Sequence, residues 1–75
     1  MPTVDAMIYL GRKLNDSDRL ILDNTLRKIS GVVAPWFTPR LTQVVFVYYN
    51  PHLISTSVVL ASVRRLGFEA SLVAL

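Results

Sequence analysis

The spacing of apolar residues changes character along this chain, and each change marks an expected element. Val4 to Leu10 is rich in strand formers and stops at Gly11. A polar loop from Gly11 to Ser17 follows, in which Asn15, Asp16 and Ser17 are all competent helix N-caps. From Asp18 to Ser30, Leu22, Leu26 and Ile29 recur at i, i+4 and i+7, which lays one apolar stripe along a helix that Gly31 ends. Leu20 and Ile21 lie off that stripe, where they either widen the buried face or form a second contact surface. Val32 to Thr38 and Leu41 to Tyr49 read as strands joined by a turn at Pro39 and Arg40; Pro35 confines the first of them to a sheet edge or a bulge. Asn50-Pro51 breaks the chain again. Ser55 is placed to cap a second helix through Leu66, with Val59, Leu60, Val63 and Leu66 on its apolar face and Gly67 at its end. Phe68 to Leu75 is the last expected strand.

The order is βαββαβ, with no repeat, linker or low-complexity segment. Two βαβ-like halves with short connections predict an α+β ferredoxin-like two-layer sandwich: a four-stranded antiparallel sheet carrying both helices on one face. At 75 residues the chain supports one domain, 1–75, near the size at which a single core only just offsets the entropy of folding. Strand alternation sends Ala6, Ile8, Leu10, Phe37, Val45, Val47, Phe68, Ala70 and Leu72 toward the helices. The opposite set is Met7, Tyr9, Trp36, Val44, Phe46, Tyr48 and Val73, with a bulge near Pro35 as the one device that would turn Trp36 inward.

That second set is aromatic and aliphatic where an uncovered antiparallel face is normally polar. Composition points the same way, because 52% hydrophobic residues is high for so small a chain. An apolar patch of this kind marks an interaction face. In one reading it packs against another protein or a second copy of the chain, since aromatic, methionine and β-branched residues fill interface cores. In the other it binds single-stranded RNA: Ile8-Tyr9-Leu10-Gly11 resembles the start of the first-strand signature of RNA-recognition motifs, and Val44, Phe46 and Tyr48 lie on the third strand, where such domains stack bases. Arg12, Lys13 and Arg40 are the candidate phosphate contacts. Thr42 and Gln43, however, stand where that motif has a basic residue and a glycine. The net charge of +3 is too small to identify an anionic partner, and most of it has a local reading: Arg27 and Lys28 end the first helix, Arg64 and Arg65 the second, where cations complement the helix dipole.

Several positions resemble the heavy-metal-associated (HMA) domain family. Tyr49-Asn50-Pro51 stands where that family has Tyr-Asp-Pro, Leu66-Gly67-Phe68-Glu69-Ala70 looks like its Leu-Gly-Tyr-Glu-Ala, and Leu26, Ile29, Gly31 and Val32 match the end of its first helix. The resemblance implies the same ferredoxin-like fold and a setting among soluble metal chaperones or the cytosolic appendages of metal-transporting ATPases. It also implies a metal loop, Gly-Met-Thr-Cys-x-x-Cys, between the first strand and first helix, and counting back from Gly31 and Val32 puts the two cysteine positions at Asn15 and Asp18. This chain has no cysteine. An amide and a carboxylate prefer hard cations and need further oxygens, whereas thiolates suit copper(I) and zinc. Asn15, Asp16 and Asp18 are therefore weak metal candidates, and carboxylates in a first helical turn complement the helix dipole without any metal.

His52, the sole histidine, is expected at the far end of the sheet from Asp16 and Asp18, and Met1 and Met7 are the only thioethers. No nucleophile–base set, glycine-rich phosphate loop or facing pair of carboxylates is present, so neither an enzyme nor a cofactor is expected. A cysteine-free small domain without a signal-like start or a membrane-length apolar run points to a cytoplasmic setting and no membrane span. An ending at Leu75 directly in a strand fits a domain cut from a longer chain.

Overall fold

The computed structural model describes residues 2–73. Its elements are β1 (Val4–Leu10), α1 (Asp16–Arg27), β2 (Val32–Trp36), β3 (Val44–Tyr49), α2 (Thr56–Arg65) and β4 (Ala70–Leu72). The strands form one antiparallel sheet in the order β2-β3-β1-β4. This is the expected ferredoxin-like sandwich. Leu22 and Leu26 of α1 and Val59 and Val63 of α2 share one core with Ile8, Leu10, Val45, Val47 and Ala70 of the sheet, so both helices cover the same face. Leu14 and Ile54, from loops, complete that core with Phe68; periodicity within elements does not reach them.

Boundaries shift where local hydrogen bonds outcompete the pattern. Of the three candidate caps, Asn15 takes the position: its side chain accepts from the Asp18 N–H at 2.8 Å, and the Asp18 carboxylate accepts from the Asn15 N–H at 3.2 Å. That reciprocal capping box starts α1 at Asp16, two residues earlier than expected. The helix ends at Arg27 instead of Ser30, because the Lys28 and Ile29 N–H groups bond three residues back, to Thr25 and Leu26. β2 stops at Trp36 and β3 begins only at Val44, since Leu41 and Val44 donate to Thr38 and Leu41 in successive turns. Ser55 stands at the N-cap of α2 with extended backbone, yet its side chain makes no capping bond. β4 is three residues long, and the Val73 N–H extends its ladder by donating to the Met7 carbonyl at 2.9 Å; positions 74 and 75 of the expected strand, like Met1, fall outside the described residues.

Pro35 sits on the edge strand β2, where its missing N–H breaks no ladder on the outer side. A bulge between Val32 and Ala34 makes Val33 the extra residue, and downstream of it Trp36 pairs with Phe46 and Pro35 with Val47. The bulge thus lies before Trp36 and leaves its ring on the uncovered face. Two residues expected in the core are exposed instead. Leu72 pairs with Ile8 and so faces the helix layer, but on the outer strand it is 44% exposed instead of joining the core. Leu66, at the end of α2, is likewise exposed. Arg64 does more than complement a helix dipole: its Nε and an Nη donate to the Ala70 carbonyl at 3.0 and 2.7 Å, tying α2 to β4.

Candidate functional site

The register places the open-face residues individually. Trp36 lies beside Phe46 and Phe46 beside Met7; the bond from Val73 to the Met7 carbonyl puts Val73 next in line. One apolar row thus crosses β2, β3 and β1 and ends at Val73, just past β4, with Trp36 and Phe46 in tilted contact, ring centroids 5.0 Å apart at 52°. Trp36 is 49% exposed, while Phe46, Met7 and Val73 are half-buried. On one side of this row Val44 pairs with Tyr9, which pairs with Ser71; on the other, Ala34 pairs with Tyr48, which pairs with Asp5.

Val44 differs from its expected exposure. It lies on the open side but is only 5% exposed. The residues of 40–43 gather around it, and its cross-strand partner Tyr9 leans toward the same loop, its hydroxyl donating to Gln43 Oε1 at 2.8 Å. Val44 is therefore the floor of a recess of about 430 Å³ walled by Tyr9, Lys13, Arg40, Leu41, Thr42 and Gln43. On its other flank Tyr9 borders a second recess of about 240 Å³ with Gly11, Glu69 and Ser71. Glu69 and Gln43 are site residues that the sequence pattern did not single out. Asp5 was not named there either, although its strand parity with Met7 and Tyr9 is the signal that could have found it.

The loop between β1 and α1 is organised around Asp18. Besides the Asn15 N–H, its carboxylate accepts from an Nη of Arg12 at 3.0 Å, and the Arg12 guanidinium lies 4.3 Å over the Phe68 ring. The hydrogen bond from Arg12 first, and the Asn15 N–H second, hold the Asp18 carboxyl below its usual 3.8, against an opposing effect of burial. Arg12 is accordingly engaged at Asp18 and Phe68, and Lys13 and Arg40 are the two candidate phosphate contacts that border the open-face recess. Asp16 pairs instead with Arg19 at 2.9 Å.

This loop does not fit a soft metal. The residues at the two positions the HMA pattern gives to cysteine offer oxygen only, they cap one another's backbone, and a guanidinium sits against the single carboxylate that an incoming cation would need. Register also separates the ends of the sheet: Tyr9 pairs with Val44 while Val4 pairs with Tyr49, so His52, which follows β3, lies at the opposite end from Asp18. There the His52 N–H donates to Asn50 Oδ1 at 2.9 Å. Among the described residues no group of three or more histidine, aspartate and glutamate side chains is placed to hold a metal. No helix among them is long and apolar enough to cross a membrane.

No family model matches the sequence, and no curated protein matches it. Solved structures do. Oxidized MerP from Ralstonia metallidurans CH34 superposes with a TM-score of 0.84 at 14% identity, covering 97% of this chain and 100% of that one. A copper-binding domain from HMA7, a P-type ATPase, gives 0.82 at 17% identity over 93% of each chain. The N-terminal soluble domains of Bacillus subtilis CopA give 0.78 at 25% identity, with 95% of this chain covered and 48% of that one. The fold is the one these domains share.

Proposed function

We propose that this chain is a non-catalytic HMA-like domain that has lost soft-metal ligation in its β1–α1 loop and acts by protein contact through the open face of its sheet. The observation that carries the reading is the row of Trp36, Phe46, Met7 and Val73, which spans the sheet on the side without helices. A solvent-facing antiparallel surface has no folding reason to place two aromatics in tilted contact, a methionine and a valine in line. The resemblance in sequence and the neighbours in fold, a copper-binding domain of a P-type ATPase among them, support a place within or beside a metal-transport system, of the chaperone or ATPase type. What the domain contributes there is a contact surface.

A photo-crosslinking residue placed at Phe46, and separately at Ile21 on the exposed side of α1, tests this in cells that express the chain natively. Protein adducts at position 46 and none at position 21 support the reading, whether the adduct is a second copy or a different protein. RNA adducts at position 46, or equal labelling at both positions, overturn it.

A further inference from the structure

Resting on the reading that the open face makes a protein contact, we infer that its partner is a second copy of this chain, docked face to face about a two-fold axis that runs along the strands. The patch is lopsided in two ways. Its apolar row is bulky on the β2 and β3 side, with Trp36 and Phe46, and slimmer on the β1 and β4 side, with Met7 and Val73. Its charge is divided in the same direction: Tyr9 stands between a recess bordered by Glu69, next to β4, and one bordered by Lys13 and Arg40, next to β3.

A two-fold axis along the strands exchanges left and right while keeping the ends of the sheet together. It lays Trp36 over Val73 of the second copy and Phe46 over Met7, matching large side chains with smaller ones and sulfur with a ring. The same operation brings Glu69 over Lys13 and Arg40, and symmetry makes that contact twice. At the other end it sets the Asp5 carboxylate against the Tyr48 hydroxyl. A two-fold axis across the strands would instead stack Trp36 on Trp36 and move both charged groups to the far end of the opposing face. Size and charge therefore select the same axis.

The surface is self-complementary, which a surface evolved for an unrelated partner has no reason to be. RNA is disfavoured at the same place, because Glu69 flanks Tyr9 and Arg12 is already held by Asp18. Four strands about 4.8 Å apart and three rows about 7 Å apart project to roughly 400 Å² per copy, well under the ~800 Å² per partner of a standard interface, so the dimer is weak and reversible. Its rim charges make it salt-sensitive.

Sedimentation equilibrium on the 75-residue chain, from about 10 µM to about 1 mM where so small an interface associates, tests this with two complementary variants. The wild type should rise from 8.4 kDa toward twice that mass with concentration. Glu69→Lys alone, and Lys13→Glu with Arg40→Glu alone, should each weaken association by on the order of tenfold, since both symmetric contacts turn repulsive. Mixing the two variants should restore it, because every cross-contact is then attractive. Circular dichroism checks that these exposed substitutions leave the fold intact, and Phe46→Arg, at the centre of the row, supplies an independent loss of association. A wild type that stays monomeric to 1 mM, or a mixture no heavier than its components, overturns the inference. If position 46 nevertheless crosslinks to a different protein in cells, the contact reading stands and only the second copy falls.

Discussion

Asp18 shows how one side chain can close off a chemistry by satisfying itself. Its two oxygens accept from the Asn15 N–H and from Arg12, whose guanidinium in turn lies on Phe68, so loop, helix start and the approach to β4 are joined through a single carboxylate. Because its folded pKa is depressed, the stability it contributes is present above the ordinary 3.8 and is lost as pH falls through the lower folded value. Asp18→Asn should therefore melt below the wild type at neutral pH, with the gap shrinking once pH drops beneath 3.8. A gap that stays constant down to pH 2 would show that the Arg12 pairing adds nothing to folding. Leu26 tests the core at the same scale. It is fully buried under the sheet, and Leu26→Ala should cost about 2–4 kcal/mol by chemical denaturation, a large part of what so small a domain has.

At the scale of elements, two glycines with nearly the same backbone carry different constraints. Gly31 after α1 has φ +99° and Gly67 after α2 has φ +95°, both in the left-handed region. A Cβ on Gly31 would lie 2.9 Å from Ile54 Cγ2 and 3.0 Å from Leu53 Cβ, whereas one on Gly67 would meet nothing within 4 Å. Asparagine tolerates the left-handed region, so Gly67→Asn should cost well under ~1 kcal/mol while Gly31→Asn costs on the order of 2 kcal/mol, measured by thermal melts side by side. Equal costs would show that the contact with the 53–54 segment relaxes freely. β4 depends on its neighbours for another reason: it is short, lies on the edge, and has Arg64 donating twice to its Ala70 carbonyl. Arg64→Met, which keeps much of the stem, should speed amide exchange in β4 while leaving β3 protected.

For the whole molecule, the closed β1–α1 loop and the separation of His52 from Asp18 bear on metal linkage. A ligand that binds only the folded state raises its melting temperature. Zinc or copper(I) added to the chelator-treated chain should leave the melting temperature unchanged, and neither should be retained against a modest competitor. A stoichiometric metal surviving dialysis, with a matching rise in melting temperature, would contradict a β1–α1 loop closed to soft metals. The open face is the other whole-molecule property. It exists because both helices pack on one side of the sheet, leaving the row through Trp36, Phe46, Met7 and Val73 without an internal cover.

Much of this was legible in the chain itself, because strand parity and helix period are local. Period two placed Ala6, Ile8 and Leu10 inward and Met7 and Tyr9 outward; the i, i+4 spacing placed Leu22 and Leu26 under the sheet. The βαββαβ order with short connections leaves few topologies, so the sandwich followed as well. Tertiary structure decided what depends on register and on the ends of elements. Whether the bulge near Pro35 would invert Trp36 turned on its falling at Val33, a matter of pairing with β3. Val44 became the floor of a recess because a neighbouring loop folded beside it, and Leu72 stayed exposed because β4 proved to be an edge. The joining of Arg12, Asp18 and Phe68, and the placing of Glu69 across Tyr9 from Lys13 and Arg40, bring together residues far apart in the chain. Periodicity describes which way a side chain points; only the folded backbone determines what it meets there.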